Sequence, residues 1–398
     1  MKRDLTPEEI EKHNNRKLTA DKIRQVLSKV METPTQSSKR WVWELMQNAK
    51  DIPNRFGEVS IKIELIENSL KFLHNGNPFS LKNIMGLIQQ VSSKDSTNSN
   101  EEVTGKFGTG FISTHLLSRK ISVKGFVLHN GTHRIFDIVL DRSGDSSEDL
   151  IPKIKKALEH ISQIENNEFF PVKYDYETNR SELSFDTSFE YELLSDKSKK
   201  WAIDGIEDLV NTLPQTLVNL KKIKTVTVIS NGVQEIYTKK KIFTRDDVTA
   251  YEVQITNKET KKFLSYGKNE ITLAIEVSDF NPITLIEHFG QQPNLFRDFP
   301  LIGSEKFHFP YILNGHTFNP TEDRDSIVLH SEESKESIVN RQSIENAISV
   351  AQEFTQWLIT NSAINRHICA YTRRPELKST WEDSSKNWYT EIQTDWRK

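Results

Sequence analysis

The chain has 398 residues, with 53 Lys and Arg against 56 Asp and Glu, a formal net charge of −3, and a composition 35% hydrophobic and 27% charged. That balance excludes a disordered chain and a protein that coats nucleic acid through unopposed cations, and a length of this order suits two or three domains. The single cysteine, Cys369, excludes an intramolecular disulfide framework, no apolar run reaches the roughly 18 residues of a membrane span, and "MKRDLTPEEIEKHNN" lacks the apolar core of a signal peptide, so the expectation is a cytoplasmic protein with no membrane partner.

In chain order, the first thirty or so residues read as a helix, with Thr6 as its cap ahead of Pro7 and an apolar series at Ile23, Val26, Leu27 and Val30. "METPTQSSKR" reads as a break before a second helix that carries "WVWELMQNAKD". On that helix Glu44, Asn48 and Asp51 fall on one face at steps of four and three, and Val42, Leu45, Met46 and Ala49 form an apolar stripe opposite. Alternation in "EVSIKIELI" and "SLKFL" predicts a strand pair turned near Glu67, and "SLKNIMGLIQQV" returns to a helical period.

Residues 92–104, "SSKDSTNSNEEVT", are polar and aperiodic, and they lead straight into "GKFGTGFISTHLLS", a glycine-bearing stretch that opens a helix. "KISVKGFVL" and "HRIFDIVL" read as strands, residues 150–164 as a helix, "LSFDTSFEYEL" as a strand, "LPQTLVNLKKI" as the end of a long helix and "KTVTVIS" as a strand. Beyond residue 231, "IYTKKKIF", "AYEVQIT", "EITLAIEV" and "FHFPYIL" predict a smaller strand-rich unit, a helix occupies residues 337–360, and the aromatic tail gives no clear element. The densest run of lysines, between Lys221 and Lys262, is interspersed with acids and reads as solvated strand edges.

Two stretches carry candidate chemistry. Glycines 105, 108 and 110 stand directly ahead of a helix, where the backbone can approach a phosphate closely and the exposed amides favour an anion; turns use the same residues, so this signal is weak alone. The sequence is neither a Gly-Lys-Ser/Thr phosphate loop nor a Gly-x-Gly-x-x-Gly after a strand. "FLHNGNPFS" supplies a second glycine turn, either a plain tight turn or a close approach of backbone to a flat ligand.

Taken together, the Glu-x-x-x-Asn-Ala-x-Asp helix, the strand ending in an x-x-Gly turn, the polar stretch and Gly-x-Phe-Gly-x-Gly-Phe resemble the GHKL superfamily of ATPases, which includes the heat-shock-protein-90 chaperones, DNA gyrase, the MutL proteins and the sensor histidine kinases. "WELMQNAKD" and "GKFGTGFIS" are closest to the chaperone branch. "DTSFEYEL", "LPQTLVNLKKIKTVTVIS" and "FPLIGSEKFHFPYILNGHTFNPTEDRDSIVL" are similar to sacsin-type segments. The resemblance implies an α+β Bergerat-type two-layer sandwich, a mixed sheet covered by helices on one face, at residues 33–231 behind a helical segment 1–32. A strand-rich, transducer-like second domain would follow at 232–331, then a C-terminal helix and tail at 332–398.

Roles follow from the same resemblance. Glu44 would be the general base and Asn48 the ligand of a magnesium ion bridging the phosphates of ATP, with Asp51 lining the pocket. Gly105, Lys106, Phe107, Gly108, Thr109, Gly110 and Phe111 would hold the phosphates, residues 92–104 would form a lid contributing Lys94, and Arg324 would reach the γ-phosphate from the second domain. His74, Asn75 and Gly76 would meet the base, with Thr187 assisting through a water. The family carries an aspartate where His74 stands, and an imidazole or amide both accepts and donates, which loosens discrimination between adenine and guanine. The implied activity is slow, magnesium-dependent ATP hydrolysis coupled to lid closure, a protein client and an ATP-dependent homodimer, in a chaperone-like or antiviral-defence role. A nucleotide-gated binding module with little turnover and a nucleic-acid-handling ATPase like gyrase or MutL remain alternatives; the acidic balance counts against the latter.

Overall fold

The computed structural model describes residues 6–32, 34–89, 110–165, 184–287, 292–372 and 380–396. The chain divides into two compact units, residues 1–207 with 222–234 and residues 208–221 with 235–398. It is a mixed α/β protein, and among the described residues no helix is long and apolar enough to cross a membrane.

The first unit opens with α1 (Pro7–Glu32), started by a reciprocal cap in which the Thr6 amide donates to Glu9 at 2.8 Å and the Glu9 amide to the Thr6 hydroxyl at 3.3 Å. Helix α2 (Pro34–Lys50) begins well before the expected break ends, because Pro34 takes the first helical position, where its missing N–H costs nothing. It is followed by β1 (Val59–Ile66), β2 (Ser69–His74), α3 (Leu81–Gln89) and a 3-10 turn at Gly110–Leu116 in place of the expected α-helix. Strands β3 (Lys120–His129) and β4 (Thr132–Asp141), helix α4 (Ser147–Glu165), strand β5 (Thr187–Glu192), helix α5 (Asp196–Asn219) and strand β6 (Ile223–Ser230) complete the series, with the second half of α5 counted in the other unit.

The six strands pair in the order β6-β1-β2-β5-β3-β4, parallel between β6 and β1 and antiparallel elsewhere. One face is apolar and buried through Ile61, Ile63, Phe72, Val123, Phe189, Tyr191 and Val226. The other carries a cross-strand series of charges: Asp137 on β4 lies 3.5 Å from Lys124 on β3, Lys124 lies 3.9 Å from Glu190 on β5, and Glu190 lies 3.7 Å from Lys71 on β2. Period-two alternation thus separates core from solvent along most of these strands, with consecutive buried residues at the starts of β1 and β5. Trp41, fully buried, fixes α2 against α5: its indole N–H donates to the Trp201 carbonyl at 3.1 Å, and Gly205 leaves the room that the ring fills.

The second unit is built on β7 (Val233–Arg245), β8 (Val248–Ile255), β9 (Lys261–Lys268), β10 (Ile271–Phe280), β11 (Ile283–Leu285), β12 (Leu295–Arg297), β13 (Phe299–Pro300) and β14 (Ile312–Gly315). The order is β7-β8-β9-β10-β14-β12-β13, with β11 on β10. Helix α6 (Lys335–Thr360) packs Ile344, Ala347, Ala351, Phe354 and Leu358 into the core of this unit. The tail, for which the sequence offers no element, forms α7 (Asp383–Trp396): the Trp396 ring packs at a tilt 4.1 Å from Phe309 and its indole N–H donates to the Cys369 carbonyl at 3.2 Å, and Tyr389 is 1% exposed.

Lys239 departs from the solvated lysine edge that the sequence suggested. Its amine donates to the Leu220 carbonyl at the end of α5, and burial, reinforced by Lys221, lowers its pKa to about 8. At pH 7 both folded and unfolded chains carry this proton and the folded state bears the full desolvation cost. As pH rises from 8 towards 10.5 the unfolded chain holds more protons, so stability should rise. Relative to Lys239→Met, the wild type should gain on the order of 2 kcal/mol across that window, read as a shift in the urea midpoint.

Candidate nucleotide site

The candidate residues of the first unit gather around the C-terminal half of α2. Its apolar stripe is buried as expected, but so are Trp41, Trp43, Gln47 and Lys50, and the supposed polar face is split. Glu44 is 7% exposed, Asn48 alone among residues 41–50 is exposed, and Asp51 follows the helix end in a turn. A plain solvated face is therefore the wrong description of α2. Burying a carboxylate in a protein interior is costly unless it is paired, and the pairing here is local. Arg40, one turn earlier, places Nη2 3.6 Å from Glu44 Oε1 with both side chains largely buried. Arg40 is the member of this group that motif reasoning missed; its i, i+4 spacing from Glu44 is the signal that pointed to it.

The other carboxylate oxygen faces the glycine at the start of the 3-10 turn. A methyl group on Gly110 would lie 2.7 Å from Glu44 Cδ and closer still to Oε2. Glu44 and Gly110, far apart in sequence, are thus in direct contact. The Phe111 side chain is 6% exposed and packs 5.5 Å from Phe189 and 6.1 Å from His115, so it anchors the turn to the sheet as part of the core. Lys94, Gly105, Lys106, Phe107, Gly108, Thr109 and the lid 92–104 lie outside the described residues.

Flanking elements are held by buried groups. Arg142, 1% exposed, donates through Nη2 to the Ile88 carbonyl at 2.5 Å and reaches the Leu87 carbonyl at 3.5 Å, placing a cation at the C-terminal end of α3, where the helix dipole favours one. Burial pushes its pKa down to about 10. His115 lies 3.2 Å from the Ser118 carbonyl through Nδ1, and burial, with Arg142 nearby, depresses its pKa well below the ordinary value, so it is neutral at pH 7 and donates.

At the end of β2, His74, Asn75 and Thr187 are each 2% exposed. His74 stands opposite Thr187 in the β2–β5 register and stacks 6.3 Å from Phe189. The Gly76 amide donates to His74 Nδ1 at 3.1 Å, and the Ser60 amide donates to Asn75 Oδ1 at 2.6 Å. These bonds fold the "HNG" turn, and Ile52, just past the α2 end, closes it by accepting from the Asn77 amide at 3.0 Å. Gly76 has no room for a side chain, since a methyl would lie 2.5 Å from the Ile52 carbonyl oxygen and 3.0 Å from His74 Nδ1. Gly76→Ala should therefore cost about 1 to 3 kcal/mol, measured as a lower urea midpoint at unchanged slope.

Asp51 lies 3.9 Å from Lys50 through Oδ1, both side chains 5% exposed. Arg324 belongs to the second unit, where it occupies a turn with φ of 51°, its amide donating to the Thr321 carbonyl at 2.9 Å; burial, with the Arg324 charge adding to it, lowers the pKa of Arg297. Comparison of the chain with protein-family models and with curated protein sequences gives no match. The chemistry must be read from the residues themselves. The first unit brings together a buried carboxylate, an exposed amide one turn away, a glycine against the carboxylate, and a buried imidazole and amide at a tight turn.

Proposed function

We propose that the first unit binds a nucleoside triphosphate with magnesium, ATP being the nucleotide that the GHKL resemblance implies, and hydrolyses it slowly with Glu44 as general base. The observation that carries this reading is the contact between Glu44 and Gly110. The motif pattern requires the base and the phosphate loop to meet, and the carboxylate is seated where only a glycine leaves it room. Arg40 holds Oε1, and Oε2 is turned towards the loop, the orientation a base needs to take a proton from water beyond a γ-phosphate.

Asn48, exposed one helical turn from Glu44, fits a ligand for magnesium through its amide oxygen. Among the described residues no group of three or more His, Cys, Asp and Glu offers an all-protein metal cage, so phosphate oxygens and water would complete the shell. Held there, the ion would supply positive charge to offset that of the phosphates. In this reading the first unit is a Bergerat-type two-layer sandwich and the second, which carries Arg324, is the transducer-like domain. The partner is a protein client or a second copy, and the setting is cytoplasmic. The charged outer face and apolar inner face of the six-stranded sheet support the sandwich.

Calorimetric titration with magnesium-ATP, followed by phosphate-release assays, tests the proposal. Saturable binding with slow turnover is expected. Absence of saturable binding by any nucleoside triphosphate at millimolar concentration would contradict it.

A further inference from the structure

We infer that the first unit carries a second recognition surface, a concavity on the charged outer face of its sheet that takes an aliphatic side chain from a basic peptide segment of a partner protein. The concavity measures about 440 Å³ and is lined by Glu64, Ile66, Glu67, Asn68, Ser69 and Lys71, around the turn that joins β1 to β2. Its volume is within the range of clefts that hold ligands. It is separate from the candidate nucleotide site, because Ser69 and His74 stand at opposite ends of β2, roughly 17 Å apart at the rise of a strand.

Exposed aliphatic surface is the first observation. Ile66 continues the outward-facing series of Lys62 and Glu64 along β1, yet it is an isoleucine and 56% exposed. Leu194, just past β5, is 84% exposed, and the amide of its neighbour Leu193 donates to the Asn68 carbonyl at 2.8 Å, which ties that segment to the wall of the concavity. The methylene stem of Lys71 adds apolar surface. Aliphatic side chains left in water inside a polar rim mark an interaction site.

Charge is the second observation, and it selects the partner. Lys62 lies 2.5 Å from Glu64, and Lys71 belongs to the cross-strand series with Glu190, Lys124 and Asp137, so these charges cancel in pairs. Glu67 and Glu192 remain. Both are exposed, Glu192 stands opposite Ser69 in the β2–β5 register, and neither has an ion pair among the described residues. An open aliphatic cleft with two unbalanced carboxylates is complementary to a Leu or Ile flanked by Lys or Arg.

Fluorescence anisotropy of the full chain, without nucleotide, tests this with four labelled peptides: Lys-Leu-Lys-Leu-Lys, its counterparts with Ser in place of Leu and with Ser in place of Lys, and Glu-Leu-Glu-Leu-Glu. The basic aliphatic peptide should bind about fivefold or more tightly than each of the others, and less tightly as salt rises. Glu67→Lys combined with Glu192→Lys should reverse the preference towards the acidic peptide, a change that loss of folded protein does not produce, and Ile66→Ser should weaken both. Equal affinity for the four peptides, or an unchanged preference in the doubly charge-reversed variant, overturns the inference. Self-association of the wild type that Ile66→Ser abolishes would assign the concavity to a second copy of the chain and overturn the peptide assignment. None of these outcomes bears on the nucleotide reading.

Discussion

Gly110→Ala should lower nucleotide turnover by roughly 100-fold while costing stability only on the order of 1 kcal/mol. The obstacle is the Glu44 carboxylate, which the new methyl would overlap. A glutamate can swing away on its own torsions, so folding suffers little. Moving the base by about 1 Å from a near-attack position is enough to account for the loss of rate. The swing also breaks the approach to Arg40 at 3.6 Å, which is where the modest stability cost arises. A double-variant cycle separates the causes. In a Glu44→Ala background, Gly110→Ala should be nearly neutral towards urea, since the group it collides with is gone; a cost undiminished there would show that Glu44 is not what fills the space.

Much of the first unit was legible from local pattern, because its strands are buried on one face and solvated on the other. Alternation in "SIKIELI" and "SLKFLH" located β1 and β2 for that reason. Strand β9 was missed because Phe263, Leu264, Ser265 and Tyr266 are all buried, which erases the period of two. The start of α2 lies inside "METPTQSSKR", the stretch that reads as a break, because proline at the first helical position initiates. Helix α7 depends on aromatic packing between Trp396 and Phe309 and between Tyr389 and Phe307, contacts that no local window contains.

The candidate site divides along the same line. Spacing placed Glu44 and Asn48 on one helix but could not show that one is buried and the other exposed, since that depends on Gly110 and on Arg40. Motif resemblance placed His74 at the end of β2, but the bond its Nδ1 accepts from the Gly76 amide is seen only in the folded turn. The motif says nothing of the Phe111 ring, whose packing against Phe189 and His115 comes from residues outside any local window.

Glu44→Gln carries the largest expected effect. The amide keeps the size of the side chain and its contacts with Arg40 and Gly110, but it cannot take a proton from water at neutral pH. Loss of a positioned general base typically costs a factor of about 100 to 10,000 in rate, while ground-state binding through phosphate and base is left nearly intact. The decisive measurement is the phosphate-release rate of wild type and Glu44→Gln at saturating magnesium-ATP, taken together with equilibrium binding of the same nucleotide. Turnover reduced by at least about 100-fold, with affinity within a few-fold of wild type, is the predicted result. Glu44→Gln releasing phosphate as fast as the wild type would contradict the assignment of the buried carboxylate as the base.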